Sequence, residues 1–141
     1  LEYTRINPWV YTHKYDATTY TSNSYLLGHW LGQNGQLVYF AADYRWLRSL
    51  ALKFSFQHII KGPLGPESIH YSMPWAQEFL AGPLFRQSLL GLEARWEPYR
   101  GLFMTANVIL ANQTDDVTNR YPTYSDKLMM SAGVVYNLFD H

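Results

Sequence analysis

The chain contains no cysteine, which excludes disulfides, thiolate chemistry and cysteine-based metal sites. It carries no net charge: eleven Lys and Arg balance eleven Asp and Glu, and neither sign forms a run. A nucleic-acid surface needs a basic stripe, so that class of partner is excluded. Charged residues make up only 16 % of the chain, against a usual ~25 %. No stretch approaches the ~20 apolar residues of a membrane helix, which excludes helical spans but not strands, since a transmembrane strand leaves no hydropathy peak. Residue 1 is Leu, and no charged and then apolar leader follows it, so the expectation is a processed or partial piece of a longer product.

Catalytic signatures are missing too. The five histidines, His13, His29, His58, His70 and His141, show neither H-E-x-x-H nor i,i+4 spacing, and no metal site is expected. "SLLGLEA" lacks a G-x-S-x-G elbow, and no Gly-rich phosphate loop occurs. The expectation is a non-enzymatic protein without a cofactor.

What the chain does have is alternation. In "LALKFSFQHII" (50–60), Leu50, Leu52, Phe54, Phe56, His58 and Ile60 face one way and Ala51, Lys53, Ser55, Gln57 and Ile59 the other, a strand period with no helical spacing. The same period runs through 36–46, 84–96, 102–112 and 127–138. A weaker strand over 1–11 opens the chain, with Pro8 marking an edge, a bulge or its end. These strands run roughly 10–12 residues, long for a globular sheet and close to the ~9–11 that cross a bilayer at a tilt.

The connections alternate as well. Short turns at 47–49 and 97–101 lie at one end, and long connections at 12–35, 61–83 and 113–126 lie at the other. Outer-membrane barrels show this asymmetry. Pairing Trp46 with Leu50 sets Ala42 against Phe54, Phe40 against Phe56 and Asp43 against Lys53. Pairing Trp96 with Leu102 sets Ala94 against Met104 and Leu90 against Val108, so register and facing agree. Trp46, Trp96, Tyr99, Phe103, Tyr136 and Phe139 gather on the short-turn side as an interfacial girdle, with Trp9, Tyr11 and Tyr71 at the opposite rim. A β-sandwich also alternates, but strand length, loop asymmetry and the girdle favour lipid. The fold expected is therefore all-β, an antiparallel up-and-down transmembrane β-barrel, of which this chain supplies about six C-terminal strands. Six strands fall short of the ~8 of the smallest barrels, so the others lie elsewhere. Asp43, Arg45, Lys53, Glu93, Arg95 and Glu97 would then project into the lumen.

The ending "SAGVVYNL" places Ser131, Gly133, Tyr136 and Leu138 in the pattern polar-x-Gly-x-x-aromatic-x-apolar. It resembles the C-terminal signal strand that the barrel assembly machinery recognises, and makes that machinery an expected partner. The segment "RINPWVYTHKYDATTYTSNSYLLGHWLGQNGQLVYFAADYR" (5–45) resembles the late region of the capsule assembly family Wzi. The likeness rests on Asn7, Pro8, Trp9, Tyr11, Thr12 and His13, then Leu27, Gly28, His29, Leu31, Gly32 and Asn34. It implies a bacterial outer-membrane location, outer-membrane lipid as surroundings, and a role in holding capsular polysaccharide at the cell surface. The family's amino-terminal part, with its periplasmic helical element, has no counterpart here. In the loop 12–35, Tyr15, Tyr20, Tyr25, His29 and Trp30 are candidates for stacking on and bonding to surface polysaccharide; the same residues could instead pack the loop onto itself. A porin-like channel and a structural accessory subunit bound to other envelope chains are the alternatives.

Overall fold

The computed structural model describes residues 1–11, 21–22, 25–26, 28–65, 72–73, 77–116 and 123–136, with the backbone alone at 21–22 and 25–26. Eight strands appear in it: β1 (Glu2–Ile6), β2 (Thr21–Ser22), β3 (Tyr25–Leu26), β4 (Gly35–Leu47), β5 (Leu50–Lys61), β6 (Phe85–Tyr99), β7 (Leu102–Asp115) and β8 (Tyr124–Tyr136). Six of them form one antiparallel sheet in the order β1-β4-β5-β6-β7-β8, and β2 pairs with β3 as a small separate ribbon. Each long strand neighbours the next in sequence, so the sheet is an up-and-down meander. It is open and not closed into a barrel.

The five long strands measure 13, 12, 15, 14 and 13 residues, longer than the alternation alone delimits. The first strand is shorter than expected: β1 stops at Ile6. Pro8 offers no N–H for a ladder and disfavours a helical Asn7, and Trp9 takes φ 65, which turns the chain out of the strand.

The first hairpin has the expected register over Ala42–Phe54, Phe40–Phe56 and Asp43–Lys53, with a bulge between Arg45 and Leu47 that takes Trp46 out of the pairing. The second differs by two residues. Trp96 pairs with Met104, Ala94 with Ala106 and Leu90 with Leu110. The cause is local: Tyr99 still pairs with Leu102, so the turn is the two residues Arg100 and Gly101. Pro98 cannot donate to the ladder and falls in a bulge between Trp96 and Tyr99. Gly101 takes φ 80, and its N–H donates to Glu97 Oε1 at 3.3 Å. A slip of two keeps every side chain on its expected face; a slip of one would have inverted the sheet.

Between the bulges of β4–β8 the even-numbered residues share one face; past them the numbering shifts, so that Tyr99 joins the even face opposite Leu102 and Tyr124 the odd face opposite Gln113. Cross-strand rows on it read Phe40, Phe56, Leu90, Leu110 and Leu128, then Ala42, Phe54, Leu92, Val108 and Met130. Two further rows continue it: Tyr44, Leu52, Ala94, Ala106 and Ala132, and then Leu50, Trp96, Met104 and Val134. The odd face is split. Its turn end carries Asp43, Lys53, Glu93 and Asn107 in one row and Arg45, Ala51, Arg95 and Thr105 in the next. Its loop end holds the core, in which Ile6, Leu31, Leu37 and Ile59 are buried and Tyr11, Tyr39 and Phe85 pack against them. The core thus lies between the odd face and the folded-back segment 28–34, at the end where the long connections meet.

Candidate functional site

The loop end is organised by one buried polar residue. Asn34 has no exposed surface and takes φ 53, a left-handed conformation that asparagine tolerates better than most residues. Four hydrogen bonds converge on it. Its N–H donates to Asn7 O at 3.3 Å and its carbonyl accepts from Gly62 N–H at 2.9 Å. Its side-chain Oδ1 accepts from Leu80 N–H at 3.0 Å, and Nδ2 donates to Pro63 O. The chain just after β1, the segment before β4 and both ends of the long connection after β5 are therefore joined through one residue, by its backbone and its side-chain amide. A Cβ at Gly62 would stand 2.7 Å from Asn34 Nδ2, so the close approach depends on glycine there.

Beside this knot, Tyr11 Oη accepts from His29 N–H at 3.2 Å. The ring lies against Gly28, where an added Cβ would collide with Tyr11 Cζ. His29 Nδ1 accepts from Leu31 N–H at 3.2 Å, which leaves Nε2 as the protonated nitrogen facing Glu2 Oε1 at 3.2 Å. Gly32 N–H donates to His29 O at 2.9 Å. The runs 7–11 and 28–34, separated in sequence, form a single packed unit, in which Leu31 is buried.

Of the residues singled out as sugar-binding, His29 and Trp30 are brought together, ring centroids 5.6 Å apart and tilted by 31°. Trp30 is 64 % exposed, so an indole face is available at the loop end. His29 is engaged in holding its own segment. Tyr25 begins β3, with its side chain outside the described residues; Tyr15 and Tyr20 lie outside them altogether. In the terminal pattern, Ser131 pairs with Asn107, Gly133 with Thr105 and Tyr136 with Leu102, and Leu138 is outside the described residues. A Cβ at Gly133 would sit 3.1 Å from Thr105 Oγ1, so Gly133 does relieve crowding on the odd face. Tyr136 is 60 % exposed on the other face.

The aromatics expected as a girdle fall in different places, and Tyr71 and Phe139 lie outside the described residues. Tyr44, Trp46, Trp96, Tyr99 and Tyr136 are exposed at the turn end of the even face. Phe103 lies on the odd face beneath Arg95, whose guanidinium carbon stands 4.7 Å from the ring centroid. Tyr11 packs into the core instead of standing at a rim; Tyr3, opposite Val38, is the exposed aromatic at the loop end of the even face.

The charged rows of the odd face line a shallow depression bounded by Asp43, Arg45, Lys53, Glu93 and Arg95. Asp43 is directly opposite Lys53, and Lys53 opposite Glu93, so signs alternate across the strands, the favourable order for such pairs. Among the described residues no group of three or more His, Asp or Glu side chains is arranged to hold a metal. The even face has its own polar cluster at the loop end, where His58 Nδ1 and Ser88 Oγ lie 2.8 Å apart. Alternation places that pair on one face, but nothing in the sequence signals their contact.

No protein-family model, curated protein or solved structure matches the chain.

Proposed function

We propose that the chain is part of a non-enzymatic outer-membrane β-barrel that holds capsular polysaccharide at the cell surface, in the manner of the Wzi family that its segment 5–45 resembles. The observation that carries the membrane half is the even face. Four apolar rows, closed at the turn end by Trp46, Trp96, Tyr99 and Tyr136, give way at the loop end to His58, Ser88 and Asn112. On β7 the band runs from Leu102 to Leu110, about 26 Å along the strand and about 19 Å of membrane depth at a 45° tilt, near the ~25 Å of a barrel's lipid-facing band. Large apolar side chains remain solvent-exposed along its whole length, as a lipid-facing surface requires.

In this proposal the odd face lines the lumen, the charged rows are wetted, and strands beyond this sheet complete the barrel. Lipid covers the even face, and the assembly machinery reads the strand ending at Ser131, Gly133, Tyr136 and Leu138. The polysaccharide half rests on the resemblance and on the exposed indole of Trp30 beside His29, which offers a flat face for a sugar ring. A porin-like channel is the competing class, and single-channel recording separates the two: large steady currents would count against a polysaccharide-holding barrel.

Extraction tests the membrane half. The protein should stay with the outer membrane through a detergent-free wash; release into buffer would overturn the proposal. Trp30→Ala tests the other half, and should reduce retained surface polysaccharide severalfold while membrane yield stays unchanged. Unaltered retention would leave Trp30 without the role assigned to it.

A further inference from the structure

On β5, β6 and β7 the even face changes character within one row, that of His58, while Val38 and Tyr3 continue that row on β4 and β1. Above the row of Phe56, Leu90 and Leu110 stand His58, Ser88 and Asn112, and the row beyond those holds Arg5, Gln36, Ile60, Arg86 and Thr114. Five hydrogen-bonding side chains on β5, β6 and β7 therefore occupy a patch of about 10 by 7 Å, from the spacing of strands and residues. They point the same way as the apolar band directly below them. His58 and Ser88 are already held to each other at 2.8 Å, and Nε2 is the ring's other hydrogen-bonding atom. Arg86 stands 3.7 Å from Asp116 Oδ2, with both side chains about half exposed; a pair so long and so wet is weak and open to competition.

Arg5 lies in the same row as Arg86, three strands away, which is about 14 Å. Its Nε donates to Asn7 Oδ1 at 3.2 Å, and its guanidinium carbon sits 4.0 Å over the Phe79 ring. Two arginines are thus set at a fixed spacing, one of them stacked in place, immediately above a surface suited to acyl chains. Arginine is the side chain best matched to phosphate oxygens.

We infer that this patch binds the headgroup of a bisphosphorylated acyl lipid. One phosphate meets Arg86, His58, Ser88 and Thr114, the second meets Arg5, and the acyl chains run down the strands over Phe56, Leu90, Leu110 and the rows beneath. The inference rests on the lipid-facing assignment of the even face. It adds a defined lipid to that assignment, at the loop end only; the turn end has aromatics on this face and no matching row of arginines.

The test uses the intact protein purified in detergent and titrated with lipid A, a bisphosphorylated glucosamine lipid, with occupancy read by native mass spectrometry. Occupancy should fall at least fivefold in the double variant Arg5→Gln, Arg86→Gln and severalfold with monophosphoryl lipid A. It should be unchanged by Arg48→Gln at the opposite end and by millimolar inorganic phosphate. Unaltered binding by the double variant, an equal loss with Arg48→Gln, or full displacement by inorganic phosphate would each overturn the inference. Membrane extraction of the same variants separates the two ideas: protein that needs detergent but binds lipid A as wild type refutes the headgroup site alone, whereas protein released without detergent refutes the lipid-facing assignment itself.

Discussion

Asn34 shows how much of the loop end depends on a single side chain. Its amide satisfies Leu80 N–H and Pro63 O from inside a site with no exposed surface. Asn34→Ala should therefore cost about 1–3 kcal/mol for each of those two groups left without a partner, and the left-handed backbone adds strain for alanine. The expected readout is a lower denaturation midpoint and faster protease cleavage near 62–65; an unchanged midpoint would mean that the knot is not the anchor. The residues of this unit, Asn7, Tyr11, Gly28, His29, Leu31 and Asn34, were legible in the sequence as two motifs. What joins them was not. The bond from Leu80 to Asn34 spans 46 positions, and neither residue lies in a periodic segment from which pairing could be derived.

At the scale of the strand, each long element carries two solvents' worth of information in alternate residues. On β7, Ala106 lies in the middle of the apolar band and its neighbour Asn107 in the charged row behind it. Ala106→Arg should destabilise the membrane-inserted form by about 2–4 kcal/mol, the cost of an arginine at mid-bilayer on a barrel's lipid face. Asn107→Arg, one position away, should be tolerated, and folding yield into bilayers compares the two. Equal effects would erase the distinction between the faces. Alternation made the faces readable from sequence, because the period of two survives any even shift in pairing. The register of the second hairpin was not readable, because it depends on the bulge at Pro98 and a two-residue turn closed by Gly101. Strand ends were also underestimated, since β6 runs on at the turn end through Glu97 and Pro98 to Tyr99, and β7 continues at the loop end through Gln113 and Thr114 to Asp115.

For the molecule as a whole, the edges matter most. β1 pairs only with Gly35–Tyr39, so Phe40–Leu47 of β4 has no second neighbour among the described residues, and β8 forms the other edge with β7 as its one partner there. Long apolar edges of this kind are templates for further strands, which fits a sheet belonging to a larger closed structure. The meander and its two faces were legible in the sequence; the folding of 28–34 over the odd face was not, because a loop's packing follows from contacts that no short pattern encodes. The central claim is that the even face meets lipid. Nitroxide labels placed singly from Leu89 to Arg95 on β6 of the membrane-inserted protein test it most directly. Oxygen accessibility should alternate, highest at Leu90, Leu92 and Ala94 and lower at Leu89, Gly91, Glu93 and Arg95. Uniform accessibility, or maxima at the odd positions, would contradict the account.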